Sequence, residues 1–338
     1  MGLRVQANSF AAFYPLARAS RMASTAVVRR ALDSLGGRVV LFRSGNAVFV
    51  TFGLFAGMGA LLSLTGMGGL LVAQGISAHA FVLLALLGST AVVVSSWVAG
   101  QLLDYELLLR SPRQALWRPV FVSWGGLVGI LLTFAVCAPF SGLGFLVILD
   151  AAARTVPLGH AFGRLGCLSY GCCWGRPTRF PVAITYRNPE AKAARVAGFQ
   201  HVALHPAAFY EAVLDVAIVV VVNAVSWLGV GHGVPAALTC VLYGLGRFAI
   251  EFLREHHERF ASRPIAILPA LSLNHLLSFA LFAAGLMALP LLSFREIARF
   301  VPWSAAFAAF PTVLPITVPG AIVVFIGFSL HRGRVGQW

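Results

Sequence analysis

Residues 158–178 read LGHAFGRLGCLSYGCCWGRPT. Glycine recurs at Gly159, Gly163, Gly166, Gly171 and Gly175, and Arg164 and Arg176 bracket Cys167, Cys172 and Cys173. The run closes one apolar segment and leads into the longest polar stretch of the chain's second half, residues 176–204. An arginine among small residues at membrane depth is expensive unless it meets an anion or a partner. Glycines let a bulky group approach the main chain and leave backbone N–H groups open to it. Arginine beside such N–H groups suits a phosphate. The competing reading is an arginine that satisfies the last carbonyls of a helix.

Working outward, the 338 residues are 59% hydrophobic and only 11% charged, less than half the roughly 25% charged residues of a soluble domain. Apolar segments run over about 47–73, 79–103, 119–138, 143–163, 206–228, 234–253 and 265–291. A last one, 301–330, is interrupted by Pro302, Pro311, Pro315 and Pro319 and reads as a span or a re-entrant piece. A spanning helix needs about 20 residues. The pattern therefore predicts an all-α polytopic membrane protein with about seven or eight transmembrane helices. The short alternating segments of a transmembrane barrel are missing. Within the polar stretch, Pro181–Tyr186 (PVAITY) reads as a short strand. The chain divides into a basic N-terminal extension (1–45), a transmembrane domain (46–292) with a small extramembrane head loop (176–204), and an extra apolar C-terminal segment (293–338).

The formal net charge is +14. Basic loops bind anionic lipid and set orientation, and no recognised nucleic-acid-binding motif is present, so no nucleic-acid partner is expected. Arg4, Arg18, Arg21, Arg29, Arg30, Arg38 and Arg43 stand against Asp33 alone in the first 43 residues. Arg110, Arg113 and Arg118 follow the second segment, Arg176, Arg179, Arg187, Lys192 and Arg195 the fourth, and Arg254, Arg259 and Arg263 the sixth. The intervening turns near 74–78, 139–142 and 229–233 have no basic residue. By the positive-inside rule the basic loops are cytoplasmic.

Ionisable residues at membrane depth are the functional candidates. Asp150 and Arg154, spaced i,i+4, can pair on one helical face. Arg247, Glu251 and Arg254 share a face at i, i+4 and i+7 of an apolar helix. Glu251 can neutralise one arginine and leave the other for an anion. Two arginines from different helices, Arg164 and Arg247, suit a phospholipid headgroup. His205, Pro206, Tyr210 and Glu211 open another helix, with capping or packing roles as natural as catalytic ones. The spacing Cys167-x4-Cys172-Cys173 is not a recognised zinc pattern, and no metal is assigned from it. Tight packing is the leading reading of these cysteines, with a disulfide the alternative for an extracytoplasmic loop. Cys137 and Cys240 lie in apolar segments as packing residues.

In these blocks the chain resembles the prolipoprotein diacylglyceryl transferase family over roughly Ser123–Leu286. SWGGLVG (Ser123–Gly129) is similar to the family's S-x-H-G-G-x-x-G, with Trp124 at the histidine. Asp150, Pro157, Gly163, Arg164, Gly166, Gly175 and Thr178 fit the segment around the signature G-R-x-G-N-F-x-N-x-E-x-x-G-x-x-T. Its asparagines and glutamate fall in the region of Cys167, Ser169 or Tyr170, and Cys172. HPAAFYEA is similar to H-P-x-Q-x-Y-E with Ala208 at the glutamine, YGLGRFAIEFLRE to Y-G-x-x-R-x-x-x-E-F-x-R, and LSLNHLLS (Leu271–Ser278) to the final helix.

The resemblance implies a multi-pass enzyme of the bacterial cytoplasmic (inner) membrane. It would move a diacylglyceryl group from phosphatidylglycerol to the lipobox cysteine thiol of a preprolipoprotein, without a cofactor. Arg164 and Arg247 would clamp the phosphate, Glu251 would orient Arg247 or Arg254, and His205 or His160 would stand in as base. Gly166, Gly171, Gly175, Tyr210 and Arg254 would complete the lipid site. The family places its site on the outer face of the membrane, against the loop charges. A non-catalytic phospholipid- or lipoprotein-binding protein and a transferase with another acceptor are the alternatives.

Overall fold

The computed structural model describes residues 25–103, 105–116, 121–255, 264–265, 268–293, 300–332 and 335. Among them, seven helices are long and apolar enough to cross a membrane, and a bent pair makes up to eight. They are α1 (Thr51–Val72), α2 (Ala78–Leu103), α3 (Ser123–Ser141), the bent pair α4 (Phe145–Ala153) and α5 (Val156–Tyr170), α6 (Ala207–Trp227), α7 (Val234–Glu251), α8 (Leu273–Ser293) and α9 (Phe310–Ser329). The protein is a multi-pass helical membrane protein. The sequence predicts one helix over about 143–163, but the chain bends by 46° between α4 and α5. Pro157 follows the break, where it supplies no amide to the preceding turn.

Small residues set the packing, because helices in lipid associate by close backbone approach. Gly59 of α1 meets Gly159 of α5: a Cβ on Gly59 would lie 2.4 Å from the Gly159 carbonyl oxygen. Helix α1 thus lies along α5 and α9, α6 against α5 and α7, α7 against α8, and α2 against α3. The boundary at 45–46 falls in the turn between β1 (Val40–Ser44) and β2 (Ala47–Val50), which pair antiparallel. The C-terminal segment joins the same core, since α9 packs on α1 and β5 (Leu330–Arg332) pairs with β2.

The head begins where Gly171, at φ 75°, ends α5. Within PVAITY only β3 (Ile184–Thr185) is a strand, paired with β4 (Ala203–Leu204). Asp33 Oδ1 accepts from the Thr185 amide at 2.8 Å, tying the N-terminal region to the head. The region 1–24, with Arg4, Arg18 and Arg21, lies outside the described residues, as do Arg118, Arg259 and Arg263. Chain direction places the described basic segments, at 29–43, 110–113, 176–195 and 254, at the head end of the bundle.

Candidate active site

Three helices meet at the head end of the bundle, and each contributes ionisable side chains one helical turn apart. Helix α5 gives His160 and Arg164, α6 gives Glu211 and Asp215, and α7 gives Tyr243, Arg247 and Glu251. The i,i+4 spacing stacks each set on one face. Just beyond α7, the Gly175–Arg254 β-bridge fixes Arg254 against the head, with the Arg176 amide donating to Leu253 O at 2.9 Å.

Glu211 is the hub. Its Oε2 lies 2.8 Å from Arg164 Nη2 and 3.5 Å from Arg247 Nε, and its Oε1 lies 3.5 Å from Arg254 Nη1. Glu251 Oε2 lies 2.5 Å from Arg247 Nη1 and 3.7 Å from Arg254 Nη1. Asn274 Nδ2 donates to Glu251 Oε1 at 3.0 Å, and Trp124 Nε1 donates to Asn274 Oδ1 at 3.2 Å. The five charged side chains are buried or nearly so. Three arginines stand against two glutamates, and Asp215 adds a third carboxylate one turn along α6 from Glu211. Burial opposes charge on Arg254, but Cys173, Glu251 and Glu211 outweigh it and hold the guanidinium cationic.

That charge faces a cavity of about 1880 Å³, larger than the roughly 300–1,000 Å³ of ordinary small-molecule pockets. Arg164, Arg247 and Arg254 line it, whereas Glu211 and Glu251 do not. The carboxylates therefore sit behind the guanidinium groups and orient them. One part of the wall is apolar, with Phe52, Ala56, Leu84, Val92 and Phe328, while Glu106, Glu190, Lys192, Arg195 and Glu255 also line the cavity.

A second pair lies alongside. His160 Nδ1 is 2.8 Å from Asp215 Oδ2, and Arg164 Nε is 3.2 Å from His160 Nε2. With Nδ1–H donated to the carboxylate, Nε2 accepts from the arginine. His160 and Asp215 both line the cavity. Arg164 Nη1 also lies 3.8 Å from Cys173 Sγ. Hydrogen bonds from Cys167 and Cys172, joined by Arg254 and Arg164, outweigh burial and hold the Cys173 thiol well below its usual range.

Residues 39–291 match the prolipoprotein diacylglyceryl transferase family. The chain belongs to that family. Similar relatives named phosphatidylglycerol–prolipoprotein diacylglyceryl transferase come from several bacteria. The Geobacter sulfurreducens protein is 32% identical over 54% of this chain and 65% of its own length. The Xanthomonas euvesicatoria protein is 35% identical over 49% and 58%, and the Clostridium tetani protein 29% identical over 40% and 51%. The chain thus spans about half to two-thirds of the length of these relatives.

Not every residue singled out in the sequence reaches the cavity. Arg164, Arg247, Arg254 and Glu251 converge, but His205, Tyr210, Gly166, Gly171 and Gly175 do not line it. His205 Nδ1 pairs with Tyr210 Oη at 3.3 Å in the head, and burial lowers its basicity. A Cβ on Gly166 would meet Phe52, and one on Gly175 would lie 2.5 Å from His205 O, so these glycines serve backbone approach. Gly171 supplies the left-handed cap of α5. Glu211 and Asp215 are the residues whose role the sequence reading did not assign. Their i,i+4 spacing in EAVLD was the available signal.

Proposed function

We propose that the chain transfers a diacylglyceryl group from phosphatidylglycerol to the lipobox cysteine thiol of a preprolipoprotein, in the bacterial cytoplasmic (inner) membrane. One observation carries this reading: three arginines backed by two buried carboxylates line one end of a large cavity that has an apolar wall further on. Such a cavity accepts acyl chains, and the guanidinium groups accept the phosphate as bidentate partners.

In the reaction the acceptor sulfur forms a bond to the glyceryl carbon while the carbon–oxygen bond to phosphate breaks. Glycerol phosphate leaves with the bonding pair. Arg164, Arg247 and Arg254 are placed where that charge develops, and preorganised donors of this kind are the main source of transition-state stabilisation. The thiol proton needs an acceptor, and His160 is the residue this reading assigns. Asp215 holds its tautomer, and Nε2 becomes available once Arg164 turns to the phosphate. Trp124, at the position where the family pattern has histidine, donates a hydrogen bond and cannot take a proton. His205 has no part in this scheme.

The test uses the purified chain in phosphatidylglycerol vesicles with a lipobox peptide. Mass spectrometry should show the thioether-linked diacylglyceryl peptide and released glycerol phosphate. Retained lipid without product would leave a lipid-binding protein. With the head on the outer face, a cysteine replacing Arg187 should react with an impermeant maleimide added outside intact spheroplasts; labelling only after lysis would reverse that orientation.

A further inference from the structure

Among the described residues, Cys167, Cys172 and Cys173 bring their sulfur atoms within 4.8 Å of one another. All three line the cavity beside the arginines. The turn that gathers them is specific. Gly171 reverses the chain at φ 75°, and the Cys172 amide bonds back to the Cys167 carbonyl at 3.1 Å. Cys173 then adopts φ 56°, a left-handed conformation uncommon for a residue with a side chain. Backbone strain of this kind is held in place where a side chain must be aimed.

Three sulfurs at this separation match a soft or borderline cation. A metal–sulfur bond of about 2.3 Å with tetrahedral angles puts the sulfurs roughly 3.8 Å apart. A divalent cation with three thiolates carries one negative charge, and it would sit beside the Arg164 guanidinium, whose Nη1 is 3.8 Å from Cys173 Sγ.

We propose that Cys167, Cys172 and Cys173 bind one divalent cation of the zinc class, with the fourth coordination position open to the cavity for the acceptor thiol. The identity of the fourth ligand rests on the transferase reading; the three-cysteine site does not. Catalytic zinc sites keep three protein ligands and an open position, and a thiol coordinated to such an ion is deprotonated outright. The acceptor R–SH enters the open position and gives its proton to His160. A lone pair of the bound thiolate attacks the glyceryl carbon, and the carbon–oxygen bond breaks with its pair leaving on glycerol phosphate. No atom changes oxidation state through an external oxidant or reductant. The product thioether is neutral, a weaker ligand than thiolate, and dissociates.

Purified in detergent without chelator, the full chain should carry about one zinc per chain by elemental analysis. Cys167→Ser, Cys172→Ser and Cys173→Ser should each cut this at least tenfold, while Cys172→His retains metal. Unchanged gel-filtration position and melting temperature identify variants that fold. Cobalt-loaded protein should show thiolate-to-cobalt charge-transfer absorption that shifts with a cysteine lipobox peptide and not with its serine analogue. Wild-type protein that holds no zinc and gives no cobalt absorption overturns the site, as does a disulfide between two of these cysteines in non-reducing peptide mapping. Transfer at full rate by metal-free protein overturns the metal's role and leaves the transferase reading standing. A cobalt spectrum without any thioether product supports the three-cysteine site and overturns the transferase reading.

Discussion

Two polar nodes lie within the helix bundle, and they are built in opposite ways. In one, Asp150 accepts from the amides of Gly233 and Ala236 at 2.7 and 3.3 Å and so caps α7. Arg154 donates to Asn223 Oδ1 at 2.9 Å and to Val301 O at 3.0 Å, with Phe300 and Trp303 against its guanidinium. This node is turned inward on protein partners, and it pins α4, α6, α7 and the chain before α9. In the other, Arg164, Arg247 and Arg254 have carboxylates behind them and a cavity in front. Both contain charged arginine; only the second offers charge to a visitor. Burial and pairing alone do not mark a functional arginine, whereas the side left facing the cavity does.

Truncating one arginine in each node should separate them most sharply. Arg164→Ala should lower diacylglyceryl transfer by about 10²–10³-fold, the effect of removing one preorganised donor from developing charge. Arg154→Ala should instead lower stability by about 1.5–3 kcal/mol, the worth of hydrogen bonds from a buried charged donor to neutral acceptors. Its specific transfer rate per folded molecule should stay within about twofold of wild type. Vesicle assays paired with thermal unfolding in detergent measure both. Equal losses of transfer in the two variants would erase the distinction between the nodes.

The same contrast shows what the sequence could reveal. Hydropathy exposes the spans because a bilayer demands length and apolarity locally. The Arg247–Glu251–Arg254 stripe was legible because it lies within about two turns of one helix, and the structure keeps those pairs. Asp150 and Arg154 have the same spacing, yet no pair within 4 Å forms between them. The helix stops at Ala153, and each side chain finds partners on other elements. Glu211 was visible only as an acid near a helix start. Its role depends on arginines from two other elements 47 and 36–43 residues away, a relation that no local pattern encodes. The glycines illustrate the converse: their clustering was legible, but a glycine admits a neighbouring helix as readily as a ligand.

A smaller effect should come from acid, acting at the sheet beneath the open node. His331 of β5 is buried, and its ring meets Tyr170, the last residue of α5, at 6.0 Å. Burial, reinforced by Arg195 and Lys192, lowers its pKa from 6.5 to about 4. Well above pH 6.5 the ring is neutral folded or unfolded and contributes no pH dependence. Below that, the unfolded chain takes the proton first, so stability falls as pH drops towards 4. At pH 5 the loss should be about 2 kcal/mol relative to pH 7.5. His331→Phe should remove that part of the slope while Arg154→Ala leaves it unchanged. An unaltered slope in His331→Phe would place the acid-sensitive group elsewhere.

The finest test lies at the edge of the open node, where Trp124 donates to Asn274 and Asn274 donates to Glu251. Trp124→Phe keeps an aromatic ring on the cavity wall and deletes the N–H. A neutral hydrogen bond contributes about 0.5–1.5 kcal/mol net. Because Asn274 lines the cavity, water can replace the lost donor, which puts the expected effect at the low end. Transfer should fall by no more than about threefold, the rate equivalent of roughly 0.6 kcal/mol. Asn274→Ala goes one step further in. It removes a direct donor to Glu251, and hydrogen bonds to charged groups are worth about 1.5–3 kcal/mol, so the loss should exceed tenfold. The ordering is the informative result. If Trp124→Phe costs more than Asn274→Ala, the indole acts on the substrate directly rather than through the amide, and the open node extends one residue further along the cavity wall.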